Sequence, residues 1–449
     1  SSHFGSSFSW PKHVPASRSM AMLRSRVLLL FFTACTSIDF PAEERQAAQN
    51  KTVIVTGAAG FIGSHVAQHC LDLGFRVLAV DDLSGGFVAN VPEHPSLTFL
   101  KGDVRDAHFV ENLFTGYGKV DFVYHLAAYA AEGLSHFIRS YNYRTNLVAT
   151  VELLNQAVKH KVESFVFTSS IAVYGSINDL SQMQNNERKL NTAREQGSVL
   201  TEDDAPHPED PYGISKFACE LDLHAAHELW GTNFIIFRPH NVYGPHQNMF
   251  DKYRNVVGIF INQVYHKQPM SIFGDGEQQR AFSYIDDVAP IIARGPLVPA
   301  ARNQVFNIGA DTPYTVAELA REIGKAMGTG EDYPTVKHPA RLEVFSAVAS
   351  HEKVKRVFQP PQTVGLQEGL KMTVAWYNEK GQTFAPVEFA EVEVLAKMPP
   401  SWVRDDLRQA AVVTGSRVNT EAMDVDLKAS RNQGGARCIN GDDGEHCPS

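Results

Sequence analysis

Apolar positions in this chain gather in short β-branched runs separated by stretches of helical spacing. The first run is Val53, Ile54 and Val55, which reads as a strand buried on both faces. Gly57, Gly60 and Gly63 follow at intervals of three, with Phe61 and Ile62 among them, and Val66 and Leu73 carry the spacing on as a helix. A second run at 77–80 ends in Asp81 and Asp82, and further runs stand at 97–100, 122–126, 165–168 and 234–237. Helical stretches lie between them, including one from near 144 to 159 and one over 212–230. Such alternation predicts an α/β fold built on a doubly wound parallel sheet, spanning 51–237. Residues 176–200 are rich in Gln, Asn, Arg and Glu and predict a surface insertion.

The first strand, its glycine turn and the following helix predict a phosphate site. Helix N–H groups and the positive end of the helix dipole converge there. One glycine makes the turn, one admits a pyrophosphate close to backbone, and one lets helix pack on strand. Asp81 and Asp82 then stand where an acid grips an adenosine ribose, and no Arg or Lys follows in 83–86 to favour a 2′-phosphate. The cofactor expected is therefore NAD rather than NADP. Asp103 and Val104 follow the third strand, where an acid either meets the adenine amino group or serves as a simple turn carboxylate. Leu126, Ala127 and Ala128 end the fourth strand, and the small residues there leave room for the pyrophosphate and nicotinamide ribose. His125 beside them reads as a hydrogen-bonded core histidine.

Composition narrows the classes. The chain has 449 residues, 43% hydrophobic and 20% charged, with a net charge of −9, which suits a globular protein and gives no support to nucleic-acid binding. Five scattered cysteines make no disulfide framework. Cys438, His446 and Cys447 read as incidental groups on a polar tail, 403–449, so no metal is expected. Residues 1–50 read as a leader outside the fold: acids are absent before Asp39, and Arg24 and Arg26 precede an apolar run at 27–34 too short to span a bilayer. The compartment expected is cytoplasmic, with organelle or secretory targeting as the alternative this leader leaves open. No membrane association of the mature chain is expected.

Chemistry enters at Ser169 and Ser170, which close the fifth strand, and at Tyr212 and Lys216, one helical turn apart on one face. An ammonium beside a phenol favours the phenolate, drawing it down from about 10, and such a tyrosine can act as base or acid toward a sugar hydroxyl. Arg280 and Arg341 are candidates to hold a diphosphate, because guanidinium offers a fixed fork of donors.

Taken together, Gly57/Gly60/Gly63, Asp81, Asp103-Val104, Asn146, Ser170, Tyr212-x-x-x-Lys216, Asn241 and Arg280 resemble the extended short-chain dehydrogenase/reductase family. Within it, the likeness is to nucleotide-sugar epimerases of the UDP-glucose 4-epimerase kind. The resemblance runs from about Lys51 to Trp402 and implies a smaller C-terminal α/β substrate domain over 238–402. It makes Tyr212 the base, Lys216 the anchor of the nicotinamide ribose, and Ser170 the partner of the sugar hydroxyl. Asn146 joins the cofactor set, and Asn241, Phe273, Arg280 and Arg341 line the UDP-sugar site. Relatives that dehydrate or decarboxylate place an acid just after that serine or threonine, whereas Ile171 and Ala172 stand there in this chain. A homodimer through the 144–159 and 212–230 helices is also implied, and so is a gate on the sugar's 2-substituent at Ala347 or Val348. Another nucleotide-sugar epimerase, acting on UDP-glucuronate or a UDP-N-acetylhexosamine, and a nucleotide-sugar or carbonyl reductase are the alternative readings.

Overall fold

The computed structural model describes residues 38–175, 199–251, 253–340, 346–380, 392–399 and 402–403. The chain divides into two units, Ser1–Pro41 and Ala42–Ser449. In the first, the Phe40 amide donates to the Ile38 carbonyl at 3.1 Å.

The second unit opens with helix α1 (Ala42–Ala48), earlier than the expected boundary at 51. The sequence pattern missed this helix because it is short and mostly exposed. An ion pair helps to hold it: Glu44 takes both Nε and Nη2 of Arg294 at 2.8 and 2.7 Å, and Ala48 is buried.

The predicted runs become strands β1 (Thr52–Thr56), β2 (Arg76–Asp81), β3 (Leu97–Lys101), β4 (Phe122–His125), β5 (Ser164–Thr168) and β6 (Phe234–Pro239). The sequence pattern did not announce the outermost strand, which spans Gln304–Ile308 and pairs with β6. All neighbours run parallel, and outward from that strand the order is β6, β5, β4, β1, β2, β3. The chain therefore winds one way from β1 to β3 and the other way from β4. The crevice at that reversal, at the carboxyl ends of β1 and β4, is where doubly wound sheets bind ligands. Helix α2 (Phe61–Leu73) follows β1, and helix α3 (Ala149–Lys159) packs against the Pro211–Trp230 helix, α4. Ile54, Leu78, Val123, Phe165, Leu153, Leu223 and Phe234 belong to one buried apolar cluster between sheet and helices. Among the described residues no helix is long and apolar enough to cross a membrane.

A five-residue π-helical segment, Arg144–Val148, joins the Arg139–Tyr143 turn to α3. Within it, the Asn146 carbonyl accepts from the Thr150 hydroxyl at 2.7 Å and the Cys219 thiol at 3.3 Å.

Beyond β6 the chain builds small sheets: Val242–Tyr243 with Ser283–Tyr284, Met270–Phe273 with Thr335–His338, and Gln279–Ala281 between Pro313–Thr315 and Ser346–Ala347. The insertion over 176–198 and Arg341 lie outside the described residues. Leu200, placed in that insertion by the sequence pattern, is buried and bridges to Ala349. The fold also reaches past the expected tail boundary. Met398, Trp402 and Val403 pack with Tyr129, Ile138, Tyr141 and Tyr253, and Glu393 accepts the Ser140 and Tyr141 amides at 2.8 Å each.

Candidate active site

A cavity of about 1020 Å³ opens at the carboxyl ends of the strands. Small-molecule pockets run to roughly 300–1,000 Å³, so this one stands at the upper end of that range. Its floor is the glycine turn. Gly57 has φ +70°, and a side chain there would meet the Ala127 amide nitrogen at 2.8 Å. A Cβ on Gly63 would come within 2.0 Å of the Gly57 carbonyl. Gly57 makes the turn and Gly63 lets α2 close on it, while Gly60, Phe61 and Ile62 line the cavity at the helix start.

At the end of β2 the Asp81 carboxylate takes the Ala59 amide at 3.0 Å and the Leu83 amide at 2.8 Å. Burial pushes this carboxyl up, and those amides oppose the rise. Asp82 accepts from the Ser84 amide. Asp103 is gripped by Arg105, whose Nη2 stands 2.7 Å and Nε 2.9 Å away; burial raises the Asp103 carboxyl, but this fork and its charge bring it below the usual range. Val104, Leu126, Ala127 and Ala128 also line the cavity.

Thr56 fixes the fourth-strand end: its hydroxyl oxygen accepts the Leu126 and Ala127 amides at 3.1 Å and meets His125 Nδ1 at 2.8 Å. His125 Nε2 reaches Thr150 at 2.9 Å, and burial lowers this imidazole to about 3. It is the neutral core histidine expected. Asn146 is a correction: it lies behind the wall. Its side chain takes the Tyr129 amide at 2.8 Å and donates to the Tyr129 carbonyl at 3.2 Å, so it holds the cavity wall from outside.

The three catalytic candidates converge. Asp210 caps α4, accepting the Tyr212 and Gly213 amides at 2.8 and 3.0 Å, and Pro211 begins the helix, where its missing N–H costs nothing. Ser170 and Tyr212 line the same cavity, and the Ser170 oxygen accepts the Ala172 amide at 3.1 Å. Lys216 donates to the Thr168 carbonyl at 2.8 Å and stands 4.7 Å over the Phe167 ring. Burial is the largest influence on both. It raises the Tyr212 phenol above its ordinary value, against the expectation that the lysine draws it down, and the nearby Ser170 hydroxyl and the Arg254 charge pull the other way. It lowers the Lys216 ammonium to about 8.

Below them lies a polar network that sequence reasoning missed. Glu220, one turn beyond Lys216, accepts from Ser169 at 2.5 Å and from Arg238 at 2.6 and 3.0 Å. Arg238 also donates to Tyr174 at 2.7 Å, and Tyr174 donates to Asn307 at 2.8 Å.

At the far end the cavity is lined by Asn241, Phe273, Arg280 and Ala347. Asn241 takes φ +41° and donates to the Ala281 carbonyl at 3.2 Å. Ala347 pairs in register with Arg280, whereas Val348 lies off the lining and hydrogen-bonds Leu200. Arg105, Tyr129, Glu132, Gln247 and Arg254 also line the cavity; all but Glu132, which starts a four-residue helix, lie in loops, and they carry no periodic signal.

These residues suit a dinucleotide. The glycine floor leaves the space that a Cβ would fill. The buried Thr145 and Thr168 hydroxyls and the Gln247 side-chain oxygen line the cavity with no hydrogen-bond partner among the described residues.

Comparison with known proteins agrees. Residues 53–309 match the NAD dependent epimerase/dehydratase family. UDP-glucose 4-epimerase of Mycolicibacterium smegmatis is 31% identical over 335 residues, 73% of this chain and 99% of that one. The dTDP-D-glucose 4,6-dehydratase of Homo sapiens is 28% identical over 362 residues, 76% and 93% of the two chains. The crystal structure of Thermotoga maritima UDP-glucose 4-epimerase with UDP-glucose superposes with a TM-score of 0.63 at 32% identity, covering 73% of this chain and 99% of that one. The doubly wound sheet, the glycine-floored cavity and these matches together make the chain a member of the NAD dependent epimerase/dehydratase family.

Proposed function

We propose that this protein epimerises a UDP-hexose at C4 through a 4-keto intermediate. NAD, when bound, supplies the hydride acceptor and donor at the sugar carbon. The chain's own residues do the rest. Tyr212 takes the proton of the C4 hydroxyl and later returns it, with Ser170 orienting phenol and hydroxyl. Lys216 brings a positive charge to the ribose side, and Arg254 counters the burial that raises the phenol. Asn241, Phe273 and Arg280 hold the nucleotide while the ketone turns, and Arg341 is expected to join them.

The observation that carries epimerisation over dehydration is the turn after Ser170. Ile171 and Ala172 line the cavity beside it and bear no titratable group. Eliminating water across C5 and C6 needs a further acid and base at the sugar, and this position lacks them. The ketone's remaining course is reduction from its other face.

Incubation of purified, NAD-loaded protein with UDP-galactose and with UDP-glucose should bring both to one equilibrium mixture without added cofactor. Tyr212→Phe should lower kcat by ~10²-fold or more. A dehydrated 4-keto-6-deoxy product, or no conversion of any UDP-sugar, would refute the reading. Ala347 presents only a methyl group to the sugar end, so UDP-N-acetylglucosamine should also be accepted. Ala347→Tyr should exclude it while sparing UDP-glucose, because close-packed interiors do not yield to added atoms.

A further inference from the structure

We infer that Arg254 is a cofactor residue: the second half of a clamp on the NAD diphosphate, supplied from the far side of the cavity by the segment after β6. The inference rests on NAD dependence and not on which sugar reaction follows.

Residues 245–255 run across the glycine turn. Asn90 donates to the carbonyls of both Ala59 and His246, at 3.2 Å each. His246 Nδ1 meets the Ser64 hydroxyl at 2.9 Å, and His65 Nε2 meets the Pro245 carbonyl at 3.1 Å. The segment is thereby tied to the start of α2, where the diphosphate-binding amides are. At its end, Arg254 enters the cavity. Its Nε is held by Asp251 at 2.6 Å, and its guanidinium lies 4.9 Å over the Tyr129 ring. Its Nη2 and Nη1 stand 3.2 and 3.9 Å from where a Cβ on Gly85 would be. Gly86, the next residue, packs so closely on Ala59 that a Cβ would lie 2.6 Å from its carbonyl carbon and oxygen. The Nη pair thus faces the loop that closes on the glycine turn.

Charge makes the same assignment. A dinucleotide diphosphate brings two negative charges to a cavity already lined by Asp81, Asp82 and Asp103. Of the lining cations, Arg105 forks onto Asp103, Lys216 is at the Thr168 carbonyl, and Arg280 Nη1 donates to the Gln279 carbonyl at the substrate end. Arg254 is the guanidinium beside the glycine turn. Anchored through Nε and stacked on an aromatic face, it is preorganised to give both Nη groups to phosphate oxygens. The substrate also carries a diphosphate; the approach of Arg254 to Gly85, with its segment tied to Ser64 through His246 and to Ala59 through Asn90, favours the cofactor's.

Arg254→Gln separates the two. After nucleotide removal, equilibrium binding of NAD and of UDP is measured on wild type and variant, with circular dichroism as the check on folding and the NAD carried through purification as a second readout. The expected result is a rise of about 10-fold or more in Kd for NAD, loss of co-purified NAD, and unchanged affinity for UDP. Unchanged NAD affinity overturns the inference, whether or not UDP binding falls; a fall in UDP binding alone would give Arg254 to the substrate. Should the glutamine variant not fold, Arg254→Met, which keeps the packing on Tyr129, is read by the same criteria.

Discussion

Removing one member of the Glu220–Arg238 pair tests how Ser170 and Lys216 are held. The side chains are 2% and 5% exposed, so Glu220→Ala would leave a guanidinium buried without its carboxylate and the Ser169 hydroxyl without its acceptor. Breaking a buried pair from one side costs about 3–5 kcal/mol, and a buried donor left unsatisfied adds about 1–3. The Tyr174 contact survives and offsets part of this, so a loss of about 3–5 kcal/mol is expected. Replacing both, as Glu220→Ala with Arg238→Met, should cost less than the two single losses combined, because no charge remains to be stranded. Urea unfolding of the four proteins measures the cycle. Activity adds a second reading, since Ser169 precedes Ser170 and Glu220 sits one turn from Lys216: the glutamate variant should lose kcat more than KM. A loss below about 1 kcal/mol would place this pair with ordinary surface ion pairs and refute the reasoning.

Two further outcomes follow. The unfolded chain keeps the Lys216 proton to about 10.5, while the folded protein releases it near 8; the buried charge therefore costs stability below pH 8, and the cost fades as pH rises to 10.5. Lys216→Met should be inactive yet more stable at pH 7 by about 3 kcal/mol, with the gap closing toward pH 10.5, and a gap independent of pH would refute this. Ile214 and Leu221 on α4 and Val148 beside α3 are exposed at 40%, 54% and 45%; light scattering should show a dimer that Leu221→Asp converts to monomer, and a wild-type monomer at micromolar concentration would count against pairing through these helices.

The sheet, the glycine floor and the Ser170–Tyr212–Lys216 set were legible because each rests on local periodicity or short spacing. The edge strand Gln304–Ile308 was not, since its polar and apolar residues show neither a continuous run nor a helical period. Glu220 with Arg238, and Arg105 with Asp103, become pairs only when the chain folds, and nothing in composition marks them. Asn146 was placed in the right neighbourhood but on the wrong side of the wall, because spacing does not show which backbone groups its side chain meets. The Tyr212 phenol was misjudged for a related reason: spacing shows the lysine one turn away but not how dry the pocket is, and dryness is the larger influence.

The Glu393 contacts bear on how the molecule is made. The amides of Ser140 and Tyr141 wait for a carboxylate some 250 positions downstream, and Trp402 must arrive before Tyr129, Tyr141 and Tyr253 are covered. At about 5–20 residues per second, a ribosome needs a further ten seconds or more to deliver those parts after β4 and the start of its helix have emerged. The glycine turn can form early, but the wall opposite it is finished last. Vectorial synthesis thus leaves the nucleotide cleft open on one side until nearly all of the described chain exists, and full cofactor capture is a late event in this protein's biogenesis.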